Sequence, residues 1–132
     1  MTAAAPGRLS MTRKVTKEAI RLYAEASGDF NPIHVDDAFA AKTQFGGVIA
    51  HGMMMLAYAS SLMAAEFGSK WNEYGIMRVR FKGPARPGDT LSLVAEKQDD
   101  ETVSDRRCIK YALACRNDKD QPVIDGQLLV PA

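Results

Sequence analysis

The sequence predicts an α+β fold in which a long central helix is wrapped by an antiparallel sheet. Three observations carry this expectation. From His51 to Phe67 the chain is apolar on every side, with Met53, Met54, Met55, Leu56, Tyr58, Leu62, Met63 and Phe67. A helix apolar all round is buried all round. After Gly68 the spacing changes to alternation, in four successive segments, which is the pattern of half-buried strands. Finally, 132 residues is the length of one domain, so helix and sheet must share a core, the helix covering the apolar face of the sheet.

The elements follow in order. Thr16 is placed to cap a first helix, with Val15 and Ile20 as its apolar staple. Ile20, Tyr23 and Ala24 form the buried stripe of that helix, and Gly28 is suited to end it in a left-handed conformation. The segment Ser27 to His34 reads as an irregular turn. Asp36 can cap a short helix running to about Lys42, with Asp37 favourable in its first turn. Phe45 to Ile49 is a glycine-containing connection. The central helix, about 25 Å long, ends at Gly68. Strands follow around Val79 and Phe81, around Leu91 to Ala95, from Ile109 to Cys115, and from Val123 to Val130. Pro84, Pro87-Gly88-Asp89, Gln98 to Glu101 and Asn117 to Gln121 are the turns between them. The Ala- and Gly-rich residues 1–10 are expected to fray.

Composition narrows the function. A net charge of +1, with 46% apolar and 25% charged residues, marks neither a nucleic-acid surface nor a membrane surface. No apolar run is long enough to cross a bilayer, and no basic start followed by an apolar stretch suggests a signal peptide. Cys108 and Cys115 would lie about 23 Å apart on opposite faces of one strand. They cannot bridge each other, and free thiols fit a cytoplasmic location. Two histidines seventeen positions apart without further ligand spacing make a metal site an unattractive expectation.

The chemistry concentrates in Gly28-Asp29-Phe30-Asn31-Pro32-Ile33-His34. Pro32 fixes its own φ and pushes Asn31 out of the helical region, so the chain can fold back and bring the Asp29 carboxylate to the His34 imidazole. Such a pair can hold a water and move its protons. The plainer reading is that Asp29 is a turn residue and His34 polar surface. Gly52, at the start of the buried helix, can offer a backbone N–H to a carbonyl oxygen, or can be a packing glycine. The helix methionines can line an acyl tunnel or fill the core. Ser60, two turns beyond Gly52, can reach the site or bond its own backbone. Arg78, Arg80 and Lys82 can meet the phosphates of a thiol carrier or form a solvated strand face.

Tyr23 to His34, with Ala40 beyond it, resembles the signature of the MaoC-like (R)-specific enoyl-CoA hydratases. The likeness continues through Phe39-Ala40, Phe45-Gly46, Ile49 to Met53, Arg80-Phe81 and Pro87-Gly88-Asp89. It implies a hot-dog fold, a catalytic dyad of Asp29 and His34, Asn31 as the residue that orients them, and the Gly52 N–H as the donor to a thioester carbonyl. Ser60 falls where some members keep a serine near the site. Phe39, Met53, Tyr58, Phe81 and Arg80 are the candidates for substrate contact. The resemblance further implies an acyl-CoA thioester as substrate, no metal or redox cofactor, and a homodimer formed by sheet edges. In one respect the sequence departs from the family: the segment before Thr16 is short and polar, which argues against a first strand there.

Hydration of trans-2-enoyl-CoA to the (R)-3-hydroxyacyl-CoA is the leading expectation. Its alternative is dehydration of a 3-hydroxyacyl group on acyl-carrier protein. A hot-dog thioesterase would want a carboxylate on or beside the central helix, and Glu66 stands at the wrong end. A non-catalytic acyl-CoA-binding module would not need both Asp29 and His34.

Overall fold

A computed structural model describes residues 4–132. The chain runs β1 (Arg8–Lys14), α1 (Lys17–Ser27), α2 (Pro32–Val35), α3 (Asp37–Ala41), α4 (Gly52–Phe67), α5 (Ser69–Tyr74), β2 (Ile76–Phe81), β3 (Thr90–Lys97), β4 (Glu101–Val103), β5 (Arg106–Arg116) and β6 (Pro122–Pro131). The sheet order is β1-β3-β5-β6-β2, with β4 also paired to β5, and every pairing is antiparallel. The sheet curls around α4. Met54, Met55, Ala59, Leu62 and Met63 of the helix meet Leu91, Leu93, Tyr111, Leu113, Ile124 and Leu128 of the sheet in one core. This is the hot-dog architecture.

The expected caps are present. The Thr16 side chain accepts from the Ala19 N–H, and Gly28 ends α1 at φ 76°. Asp36 caps α3 through the Phe39 N–H.

Four expectations need correction. A strand does form before Thr16: β1 pairs with β3 along its whole length, from Arg8↔Glu96 to Lys14↔Thr90. Leu9 and Met11 pack on the core, and the Tyr111 hydroxyl donates to the Pro6 carbonyl at 2.7 Å. Residues 6–10 are therefore tied down; residues 1–3 lie outside the described residues. Second, the turn before His34 contains a helical turn of its own, α2, too short for periodicity to reveal. Third, α5 follows Gly68 directly, with Trp71 buried. Fourth, Glu101 to Val103 form strand β4, turned into β5 by Ser104 and Asp105, both at positive φ (48° and 64°). Two consecutive left-handed residues suit a two-residue hairpin, here without the glycine that announces it.

The central helix is also not buried all round. Met53, Ala57, Ser61 and Ala65 form an exposed stripe at four-residue spacing, the interval that places side chains on one helix face. At Gly126 (φ 154°) an added Cβ would lie 2.0 Å from the Arg78 carbonyl oxygen. That residue type is what lets β6 and β2 approach as closely as they do.

Cys108 and Cys115 are both buried free thiols. Burial pushes the Cys115 thiol up to about 11, so it is a packing residue rather than a nucleophile. No helix among the described residues is long and apolar enough to cross a membrane.

Candidate active site

The site is built where the α1–α2 turn meets the start of α4. Asp29 follows the left-handed Gly28. Its N–H donates to the Ser27 hydroxyl at 3.2 Å, and its Oδ1 accepts the Asn31 N–H at 3.1 Å. The Asn31 side chain then accepts the Ile33 N–H at 3.1 Å and caps α2, with Pro32 as the first helical residue. Proline suits that position because the first N–H of a helix has no partner in any case. One turn of helix is enough to carry His34 back toward Asp29. Asn31 therefore bonds the Asp29 carboxylate through its main chain and caps the helical turn that carries His34 through its side chain.

The connection from Val48 to His51 holds the other side. The Ile49 N–H donates to Ile33 O at 3.2 Å, the Ala50 N–H donates to Ala85 O at 2.8 Å, and the Ile49 carbonyl lies 2.8 Å from His34 Nδ1. A carbonyl can only accept, so Nδ1 carries the hydrogen, and in the neutral ring Nε2 is the acceptor. His51, buried at 2% exposure, sets its Nε2 at 2.9 Å from the Asp29 carbonyl. Its ring stacks on His34 with centroids 3.9 Å apart and planes at 26°. Tyr23 of α1 packs against its ring at 4.8 Å.

Donor atoms of Asp29, His34 and His51 all lie within 4.8 Å of one another. The pair expected from sequence is thus brought together, and His51 joins it. Each ring has one nitrogen bonded to a main-chain carbonyl, His34 to Ile49 O and His51 to Asp29 O. Such second bonds fix how an imidazole is presented, whether it moves a proton or holds a cation.

Gly52 opens α4, and among the described residues its N–H has no acceptor. An unpaired amide at a helix N-terminus is a ready donor to a developing negative charge. The Phe81 ring lies over it: an added Cβ at Gly52 would meet Phe81 Cε1 at 2.8 Å. An open apolar cleft of about 420 Å³ runs from here, lined by Phe45, Ile49, Gly52, Met55, Phe81 and Pro84 among others. Phe30, Phe81 and Met53, at 57%, 58% and 60% exposure, are apolar residues left uncovered beside the cluster in sequence or space, as is Val35 next to His34.

The remaining candidates are placed differently. Phe39 is half exposed on α3. Tyr58 is half-buried against the core; burial pushes its phenol up, and the Arg13 charge on β1 works the other way. Ser60 lies eight residues, about 12 Å of helix, from Gly52, and its hydroxyl accepts the Trp71 indole N–H at 2.9 Å. Within one chain it is not part of the Asp29–His34 cluster. Arg80 alternates to the opposite face of β2 from Phe81, beside Arg78 and Asp125. Of the three basic residues Arg78, Arg80 and Lys82, only Lys82 borders the apolar cleft.

The family pattern described as "MaoC like domain" matches residues 2–115. The chain belongs to the MaoC-like family. A MaoC-like relative from Methylorubrum extorquens, a "3-hydroxybutyryl-CoA dehydratase", is 31% identical over 120 residues, covering 91% of this chain and 74% of the relative. The mitochondrial "3-hydroxyacyl-[acyl-carrier-protein] dehydratase" of Arabidopsis thaliana is 28% identical over 120 residues, covering 90% and 71%. Among solved structures, the unliganded "R-Hydratase PhaJ1" of Pseudomonas aeruginosa superposes with a TM-score of 0.79 at 30% identity, covering 95% of this chain and 79% of that one. Hydratase and dehydratase name two directions of one lyase reaction, and this MaoC-like chain falls in that enzyme class.

Proposed function

We propose that this MaoC-like chain adds water to a trans-2-enoyl-CoA, giving the (R)-3-hydroxyacyl-CoA, with Asp29 and His34 as the catalytic pair. The observation that carries the reading is the pair of acceptors. With Nδ1 engaged by Ile49 O, Nε2 is the acceptor of the neutral His34 ring. Asp29 has one carboxylate oxygen engaged by the Asn31 N–H, leaving the other for a ligand. Two acceptors side by side can take both hydrogens of one water, which turns its oxygen lone pair toward the β carbon.

The oxygen–Cβ bond forms as one of those protons passes to the pair. The displaced π electrons move onto the thioester oxygen, where the Gly52 N–H is available. The proton held by the pair then returns to Cα. Water is added overall, and the reverse sequence is dehydration. The thioester stores the charge, so the step needs no redox cofactor. Phe81, Met53 and Phe39 are proposed as the apolar contacts of the acyl group and its entry. Ser60 and Arg80 are given no part in the step within one chain.

Crotonyl-CoA offered to the purified protein should lose its conjugated absorbance and yield one enantiomer, because both catalytic groups approach from one short turn; the likeness to relatives named (R)-specific enoyl-CoA hydratase makes the (R)-3-hydroxy product the expected one. The (S) product would show that water arrives from the other face. A crotonyl carrier-protein thioester run alongside separates the alternative substrate. Much faster turnover of that thioester would favour the carrier-protein dehydratase.

The proposed assembly is a homodimer. Among the described residues the main path of the sheet ends at β1 and β2, each without a strand on its outer side, and unpaired edges invite pairing. Antiparallel self-pairing of β2 about its centre sets Ile76 opposite Phe81, Met77 opposite Arg80 and Arg78 opposite Val79. Self-pairing of β1 would set Arg8 opposite Lys14, and like charges directly opposite are unfavourable. The β2 edge is therefore favoured. Light scattering should give twice the 14.4 kDa chain mass, and Val79→Pro, which forces a proline into that edge, should return it to one chain mass. A single-chain mass for the unmodified protein would remove the dimer.

A further inference from the structure

We infer that His51 is a positioning residue that locks the catalytic turn to the N-terminus of α4, so that proton transfer and carbonyl stabilisation are held in one register. This rests on the function proposed above. His51 is the residue immediately before Gly52 and is the N-cap of α4, yet its side chain makes no capping bond. It turns inward instead. Nε2–H donates to the main-chain carbonyl of Asp29 at 2.9 Å, and the ring face lies on His34 at 3.9 Å. One imidazole therefore touches both members of the catalytic pair, and its own backbone begins the helix that carries the Gly52 N–H.

A packing role alone does not account for this choice. At 2% exposure, with Nδ1 lacking any hydrogen-bond partner among the described residues, the ring carries an unmet polar atom that an apolar side chain would not. Orphaned buried polar atoms are rare, and each calls for a specific explanation. Here the donor edge is needed at Asp29 O and the flat face at His34. No apolar residue supplies the donor, and no amide supplies the face. Tyr23 closes the far side at 4.8 Å, so the ring is held between α1 and the site. Catalytic groups must be fixed closely to be effective, and a shift of about 1 Å can cost about a hundredfold in rate.

Two substitutions separate the two contacts. His51→Phe keeps a flat ring on His34 and removes the donor to Asp29. His51→Gln keeps an N–H donor at nearly the Nε2 position and removes the ring. Each should lower kcat for crotonyl-CoA by about 10- to 100-fold per folded molecule, with KM within about threefold because neither substitution touches the apolar cleft. Long-range ¹⁵N spectra of the His34 ring supply a readout independent of turnover. The unmodified protein and His51→Phe should show the Nδ1–H form, and His51→Gln should show mixed forms as the ring loses its stack. Folded variants with unchanged kcat and unchanged His34 signals would overturn the inference. If the unmodified protein does not hydrate crotonyl-CoA, the function proposed above fails. The His34 spectra then decide the positioning role alone: mixed forms in His51→Gln uphold it, and unchanged signals reject it.

Discussion

Asp29→Asn should reduce kcat by about 10²–10⁴, the usual range for a general acid–base group, while leaving the fold intact. The substitution keeps the oxygen that accepts the Asn31 N–H at 3.1 Å, so the turn retains its shape. What it removes is the negative charge and the strong proton acceptor. His34→Ala should show a loss of the same order. It also gives up the bond from Nδ1 to Ile49 O at 2.8 Å, so a modest fall in the thermal midpoint is expected with it. Asp29 is exposed and His34 only half-buried, so neither substitution opens a cavity in the core. Circular dichroism melts run beside the kinetics separate lost chemistry from lost folding. A folded Asp29→Asn protein with near-normal kcat would exclude Asp29 as the base.

Gly52→Val should reduce kcat by about 10²–10³, the usual worth of one oxyanion donor. A side chain at this position has to displace the Phe81 ring, since the first carbon alone would lie 2.8 Å from Phe81 Cε1. Phe81 is 58% exposed, so the ring can swing aside and the fold should survive. The added branch then crowds the N–H and keeps a thioester oxygen from approaching it. The same substitution in a Phe81→Ala background tests the cause. If crowding at the N–H is responsible, activity stays low. Recovery of activity there would show instead that a displaced Phe81 ring had been blocking the cleft.

The central helix, the sheet and the turn that brings Asp29 to His34 were legible because each depends on patterns a sequence displays. Thr16, Gly28 and Asp36 mark their helix ends by local chemistry alone. Pro32 after Asn31 announces a reversal, and the reversal is what joins Asp29 to His34. Strand β1 was hidden because only Leu9 and Met11 alternate within a basic, polar stretch. Its place is fixed by pairing with β3, a contact some eighty residues away in sequence. The exposed stripe of α4 was hidden because Ala57 and Ala65 are apolar in any count yet small enough to stand at a surface.

His51 was the main omission at the site. Read along the chain, it is a polar residue before a glycine. Its importance comes from Asp29 and His34, which reach it from across the α1–α2 turn. One signal was available: a histidine between Ala50 and Gly52, at the mouth of an apolar helix, has little room to face solvent. For Ser60 and Arg80 the opposite happened. Spacing allowed them near the site, but Trp71 engages the first and strand alternation turns the second to the other face of β2.

The central claim is that Asp29 and His34 act on a single water. The most direct test is kcat for crotonyl-CoA hydration measured on the unmodified protein, Asp29→Asn, His34→Ala and the double variant, each corrected for its folded fraction. If one water is shared, removing the second partner leaves little more to lose, and the double variant should be no more than a few-fold slower than the poorer single variant. Losses that multiply fully would contradict the account and place the two residues in separate steps.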